Sequence, residues 1–104
     1  MTTDELRLER ALAQETDADL CRMADAGDGR ALEELYARYS RIVMSLALRM
    51  MADRAVAEEL TQEVFFRAWK QAGAYREGKG SYATWLLRIT HNMAIDEIRK
   101  RQRR

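Results

Sequence analysis

From Leu32 to Met50, apolar residues return every three or four positions without a gap: Leu32, Leu35, Tyr36, Tyr39, Ile42, Val43, Leu46, Ala47 and Met50. A half-buried strand would alternate with period two, so this run specifies a long amphipathic helix with one buried side. Little elsewhere would interrupt helices. The chain has no proline and five glycines, and Ala, Leu, Arg, Glu and Met, all strong helix formers, dominate it. An all-α fold follows, a compact bundle of about four helices around one modest core.

Turn and cap residues divide the rest. Residues 2 to about 15 form a weakly amphipathic helix, so residues 1–16 are expected to be a loosely attached, mobile extension. Asp17 is expected to cap a short helix, Ala18 to Ala26, with Leu20, Met23 and Ala24 facing inward and Gly27 stopping it. Asp28 caps the long helix, which runs to about Met51, and Asp53 caps the next, Arg54 to Ala72, ended by Gly73. Tyr75 to Gly80 is a loop, after which Ser81 caps a last helix from Tyr82 to about Arg101. There is no internal repeat, low-complexity segment or further boundary, so residues 17–104 are expected to be one domain.

Cys21 is the only cysteine, which excludes an internal disulfide and points to a reducing compartment, with Cys21 a small packing residue. The acidic N-terminus (Asp4, Glu5, Glu9) is no secretory signal. The most apolar run, Ile42 to Met51, contains Arg49 and is too short to span a bilayer. A cytoplasmic protein without a membrane partner is expected.

The net charge of +1 conceals a strong asymmetry. Residues 1–63 hold 8 Lys/Arg against 14 Asp/Glu, net −6, whereas residues 64–104 hold 10 against 3, net +7. A polyanionic partner for the C-terminal part is implied.

Projected at about 100° per residue, the Asp53-capped helix buries Ala57, Leu60, Val64 and Ala68 and presents Glu59, Gln62, Glu63, Phe66 and Lys70 on another side. A large aromatic amid charges suits a protein-binding face with an apolar anchor; equally, it suits a solvated face with one scattered apolar residue. On the last helix, Leu86, Leu87, Ile89, Met93, Ala94 and Ile98 make a wide apolar side. Trp85, Arg88, Asn92 and Arg99 form a strip opposite its centre, with Asp96 beside them. Indole, amide and guanidinium together suit a nucleic acid, by stacking, base-edge reading and phosphate pairing. Taken alone, the strip also fits a core-edge Trp with ordinary surface polars. The flanks favour nucleic acid: Tyr75, Arg76, Lys79 and Tyr82 interleave aromatic and basic groups before the helix, and five of the six residues from Arg99 to Arg104 are basic.

Catalysis finds no support. His91 is the single histidine, no Cys/His cluster has metal-ligand spacing, and no Gly-rich phosphate loop is present. No enzyme activity, metal or cofactor is expected.

Three segments resemble a known family. Asp17 to Leu20, Gly27-Asp28 and Ala31 to Tyr36 are similar to the start of region 2 in extracytoplasmic-function bacterial sigma factors. Glu58 to Trp69 (EELTQEVFFRAW) resembles the family's core-polymerase-binding motif, and Ser81 to Asp96 (SYATWLLRITHNMAID) with the following basic run resembles its promoter-melting and −10-recognition segment. The resemblance covers residues 17–104 and implies a sigma factor region 2 domain, a transcription initiation factor. It implies that Glu59, Gln62, Glu63 and Phe66 meet the β′ clamp helices of core RNA polymerase. The loop Tyr75 to Ser81 and Asn92 would capture a base flipped from the non-template strand of the −10 element. Arg88, Arg99 and Lys100 would hold the strand backbone. An anti-sigma factor is a further implied partner. The family also carries region 4, a helix-turn-helix reading the −35 element, which residues 1–104 do not include, so one domain of a longer protein is expected.

Two rivals remain at the level of sequence. A purely protein-binding module, regulated by an anti-sigma factor and without DNA recognition, would bind no single-stranded −10 DNA. A non-specific nucleic-acid-binding helical protein would ignore base identity and lack affinity for polymerase.

Overall fold

The computed structural model describes residues 1–103; Arg104, the last residue of the basic run, lies outside the described residues. Five helices follow one another: α1 (Thr3–Ala13), α2 (Asp17–Asp25), α3 (Gly29–Met51), α4 (Arg54–Lys70) and α5 (Tyr82–Gln102), with single 3₁₀ turns at Ala72–Ala74 and Glu77–Lys79 between the last two. Among the described residues there is no strand, and no helix is long and apolar enough to cross a membrane.

The expected caps at three helices are present. Asp28, Asp53 and Ser81 accept from the backbone N–H of Arg30 (2.9 Å), Val56 (3.2 Å) and Thr84 (3.1 Å). Each satisfies a donor that the first turn of a helix leaves free. Gly27 stops α2 as expected: at φ 99° it lets its own N–H reach Ala24 O (3.0 Å) and the Asp28 N–H reach Met23 O (2.9 Å), closing two orphan carbonyls. Helix α3 ends on Ala52, the one non-glycine residue at positive φ (55°) among the described residues.

Two boundaries differ from expectation. The cap of α2 is Thr16, whose hydroxyl accepts from Asp19 N–H at 3.1 Å; Asp17 is drawn elsewhere. Arg38 of α3 donates to its Oδ1 at 2.9 Å, and the Tyr39 hydroxyl donates to its Oδ2. Helix α4 also stops two residues early, at Lys70, before the 3₁₀ turn at Ala72–Ala74. A Cβ at Gly73 would stand 2.9 Å from either carboxylate oxygen of Asp25 on α2, an exposed side chain that would have to turn aside.

Helix α3 is the axis of the bundle, packed against α2, α4 and α5. Leu20, Leu35, Val43, Val64 and Leu86 are fully buried where these helices meet. Thr61 and Thr90 are buried beside them and donate back to Ala57 O (2.8 Å) and Leu86 O (2.9 Å), so neither hydroxyl goes unpaired. The seam expected on α4 is buried throughout, at Ala57, Leu60, Val64 and Ala68. Two residues expected in the core of α3 are exposed instead, Tyr36 at 46% and Ile42 at 39%. Phe65 covers Tyr36 edge-on (centroids 4.8 Å apart) and leaves its other face open, while Ile42 lies about 100° around the helix from Val43, at the margin of the buried arc.

Helix α1 lies against α3 through buried Leu12 and half-buried Leu8. The same Arg38 guanidinium that binds Asp17 also donates to the carbonyls of Leu12 (3.1 Å), Ala13 (3.1 Å) and Glu15 (2.8 Å). Its five fixed donors suit this fan of acceptors at the end of a helix.

Candidate functional site

On α4, Glu59, Gln62, Glu63 and Phe66 stand together on the exposed side. None of the two carboxylates has a cation within 4.0 Å among the described residues, so both charges are free for a partner. Phe66 is 54% exposed and is braced rather than loose. Trp69 meets it edge-to-face with centroids 6.1 Å apart, and Lys70 Nζ lies 4.5 Å above its ring. Trp69 is itself 39% exposed. The pair forms a rigid apolar knob amid polar groups, the arrangement of an interface anchor. Trp69 was not singled out from spacing, because a projection places it at the flank of this side; its size was the available signal.

The second face starts from a knot of aromatic rings. Tyr75, Tyr82 and Trp85 are in mutual contact, with centroids 5.4 to 5.7 Å apart, and Tyr39 of α3 joins at 5.3 Å from Tyr82. Tyr82 is 3% exposed and therefore supports the face from beneath. Trp85 and Tyr75 are half-buried at its surface. Burial pushes the Tyr82 phenol well above its ordinary pKa, and burial with the Asp17 hydrogen bond pushes Tyr39 up to about 12. These rings are neutral around pH 7. Burial likewise raises Cys21 to about 12, with the Asp17 charge adding to it, which leaves a protonated thiol packed in the core.

The loop closes on itself over this knot. The Tyr75 hydroxyl donates to Gly80 O (3.2 Å), the Lys79 N–H to Arg76 O (3.0 Å), and Arg76 Nη1 to the carbonyls of Gly73 and Tyr75. Gly80, at φ 118°, makes the turn into Ser81. Arg76 is therefore partly engaged in building the loop, whereas the Lys79 ammonium is exposed and has no carboxylate within 4.0 Å. A small cavity separates the loop from the start of α2, bounded by Thr16, Asp17, Tyr75, Glu77 and Ser81.

Along α5 the remaining expected residues line up outward. Arg88, Asn92, Arg99 and Lys100 are all exposed. With a rise of about 1.5 Å per residue, Asn92 stands about 10 Å from Trp85 along the axis and Arg99 about 21 Å. Loop and Trp85 are thus in contact, Asn92 is two turns away on the same helix, and the basic pair lies at the far end. That end borders a groove against α4, to which Arg67 contributes. Arg67 was not anticipated, because it belongs to a helix whose sequence points to a protein partner. Among the described residues no group of three or more His, Cys, Asp or Glu side chains could hold a metal ion.

Residues 35–104 match the family described as Sigma-70 region 2. The chain is similar to the ECF RNA polymerase sigma factor SigK of Mycobacterium tuberculosis, with 35% identity over 91 residues, which is 88% of this chain and 48% of that protein. SigK of Mycobacterium bovis matches with the same figures. SigK of Mycobacterium sp. (strain KMS) is 34% identical over 88 residues, 84% of this chain and 46% of that protein. The chain spans about half the length of the curated relatives it matches.

Proposed function

The chain belongs to the sigma-70 region 2 family, as an extracytoplasmic-function sigma factor region 2 domain, and from that membership we infer that it binds core RNA polymerase and recognises and melts the promoter −10 element. The family is one of transcription initiation factors and not of enzymes.

The observation that carries this reading is the separation of two unpartnered faces. The α4 face offers free carboxylates around the Phe66–Trp69 knob, which suits a basic helical partner such as the β′ clamp helices. The loop and α5 offer neutral aromatic rings, an amide and free cations, which suits a single strand with its bases turned inward. An anti-sigma factor would act by covering the same exposed knob.

Flipping a base out of the stack costs a few kcal/mol, least where the duplex is already weak. The loop Tyr75 to Ser81 offsets that cost by holding the extruded base of the non-template strand. Its hydrogen bonds fix the loop beforehand, so little entropy is lost on binding. Asn92 reads a base edge, and Arg88, Arg99 and Lys100 hold the phosphates of the separated strand. Lys79 at the loop tip adds a further charge. Binding energy is converted into local melting with no covalent step.

Fluorescence anisotropy against single-stranded oligonucleotides carrying a non-template −10 element, scanned base by base, tests this. Dependence on one or two positions, lost in Asn92→Ala, supports base capture. Equal, salt-driven binding to every oligonucleotide overturns it and leaves a basic helical surface.

A further inference from the structure

We propose that Arg67 of α4, a helix otherwise turned toward polymerase, binds the phosphate backbone of promoter DNA together with Arg103 at the end of α5. This rests on the DNA-binding reading of α5 above and extends the DNA footprint onto a second helix. Arg67, Arg99, Lys100 and Arg103 border one groove between α4 and the last turns of α5, floored by Leu60 and Met93.

The state of the charges distinguishes this groove from an ordinary solvated surface. Carboxylates stand at pairing distance in sequence: Glu63 four residues before Arg67, and Asp96 three and four before Arg99 and Lys100. Such spacings on a helix normally favour an ion pair. Here no carboxylate lies within 4.0 Å of Arg67, Arg99, Lys100 or Arg103 among the described residues. Glu97, the third acidic residue at the groove, is taken by Arg101 at 3.3 Å. Arg103 is steadied by donating to Arg99 O at 3.3 Å, which leaves its charge uncompensated.

These four cations share the groove with Glu63, Asp96 and Glu97, the last of them paired with Arg101, so the lining keeps an excess of positive charge that an entering anion would balance. A phosphate backbone supplies anions at regular intervals, and its sugars suit the apolar floor of Leu60 and Met93. The groove also continues the strip of Arg88, Asn92 and Arg99, so one nucleic acid can follow α5 from the loop into it. Glu63 at the groove's edge belongs to the proposed polymerase face, and its neutralisation by a basic partner would remove one of the two unpaired carboxylates that repel phosphate there, Asp96 being the other.

The test is anisotropy of this chain with a forked oligonucleotide, duplex on its upstream arm and single-stranded at the −10 element, between about 50 and 200 mM salt. Arg67→Gln is expected to weaken binding about threefold to tenfold at low salt and to reduce the slope of log affinity against log salt by about 0.7 to 0.9, one phosphate contact. Base preference should be unchanged, and Arg67→Lys should restore most of the slope. Arg67→Gln with Arg103→Gln should remove about twice as much. If Arg99→Gln lowers the slope while Arg67→Gln leaves it at the wild-type value, the assignment of Arg67 fails and the DNA reading of α5 stands. If the wild-type chain shows no salt-dependent binding at all, both fail. Loss of polymerase affinity in Arg67→Gln at an unchanged DNA slope would place Arg67 in the protein interface and overturn the proposal.

Discussion

Arg38 and Asp17 meet at 2.9 Å across 21 residues of sequence, and around that contact the N-terminal third of the chain is tied to the central helix. Both side chains are only about a quarter exposed, so the pair is screened less than a surface ion pair. Arg38 also closes three carbonyls at the α1–α2 junction. Removing it leaves the three carbonyls without this donor and the Asp17 carboxylate with the Tyr39 hydroxyl alone. Arg38→Ala is expected to cost about 2–4 kcal/mol in urea unfolding and to accelerate amide exchange across Thr3–Ala13. Unchanged exchange there would show that α1 is held by Leu8 and Leu12 alone.

Ala52 ends α3 in the left-handed conformation that glycine adopts without steric penalty. Ala52→Gly should therefore raise stability, by up to about 1 kcal/mol, read as a shift in urea midpoint at constant m-value. A loss of stability would mean that the entropy of an added glycine outweighs the relieved strain.

Phe66→Ala and Trp69→Ala should each reduce affinity for core polymerase by about 2 kcal/mol or more, as expected of central aromatic anchors. Both rings are exposed, so the urea midpoint should move little. A fall in polymerase binding that merely tracks a fall in stability would remove the anchor assignment.

Asn92→Ala should erase discrimination at one base position, worth about 1–3 kcal/mol. Arg103→Gln should weaken all sequences alike and flatten the salt dependence. Titration of both variants against the same scanned oligonucleotides separates the roles; parallel behaviour would show that Asn92 reads nothing.

The raised pKa values give an alkaline signature. Cys21 ionises near pH 9.0 when unfolded and near 12 in the fold, and Tyr39 near 10.0 and 12. Between those limits the folded state holds the extra protons, so stability falls as pH rises. The contribution is intact below pH 9 and declines as the pH rises through 9 to 12. Urea midpoints at several alkaline pH values test this. Cys21→Ala should delay the onset of the decline toward pH 10, where Tyr39 and the more deeply buried Tyr82 begin to contribute.

The helices and three of their caps were legible in sequence because those signals are local. Asp28, Asp53 and Ser81 each stand directly before an apolar-periodic run and cap it without competition. Thr16 and Asp17 are adjacent and both able to cap. The choice is made by Arg38 and Tyr39, which claim the carboxylate from another helix, and no window of sequence contains that information. Periodicity likewise identified the side of α3 that turns inward but could not say how far its neighbours reach, hence the exposure of Tyr36 and Ile42. The positions that the sequence turns outward on α4 and α5, among them Glu59, Phe66, Arg88 and Asn92, are exposed in the fold, whereas Tyr82 is buried beneath the surface. The engagement of Arg76 with loop carbonyls and the meeting of Arg67 with the end of α5 depend on tertiary approach alone.

Helix α5 runs unbroken from Tyr82 to Gln102, from the aromatic knot to the basic groove. A continuous helix is stiff on this scale, so Trp85 and Arg99 act as two marks on a gauge about 21 Å long, comparable to about six base-pair steps of duplex rise. On the proposed reading, a nucleic acid lying along it would be held in a fixed phase, and a residue inserted or deleted between the marks would rotate one against the other by about 100°. The exposed positions His91 and Asp96 between these marks should therefore tolerate substitution far better than the interval tolerates a change in length.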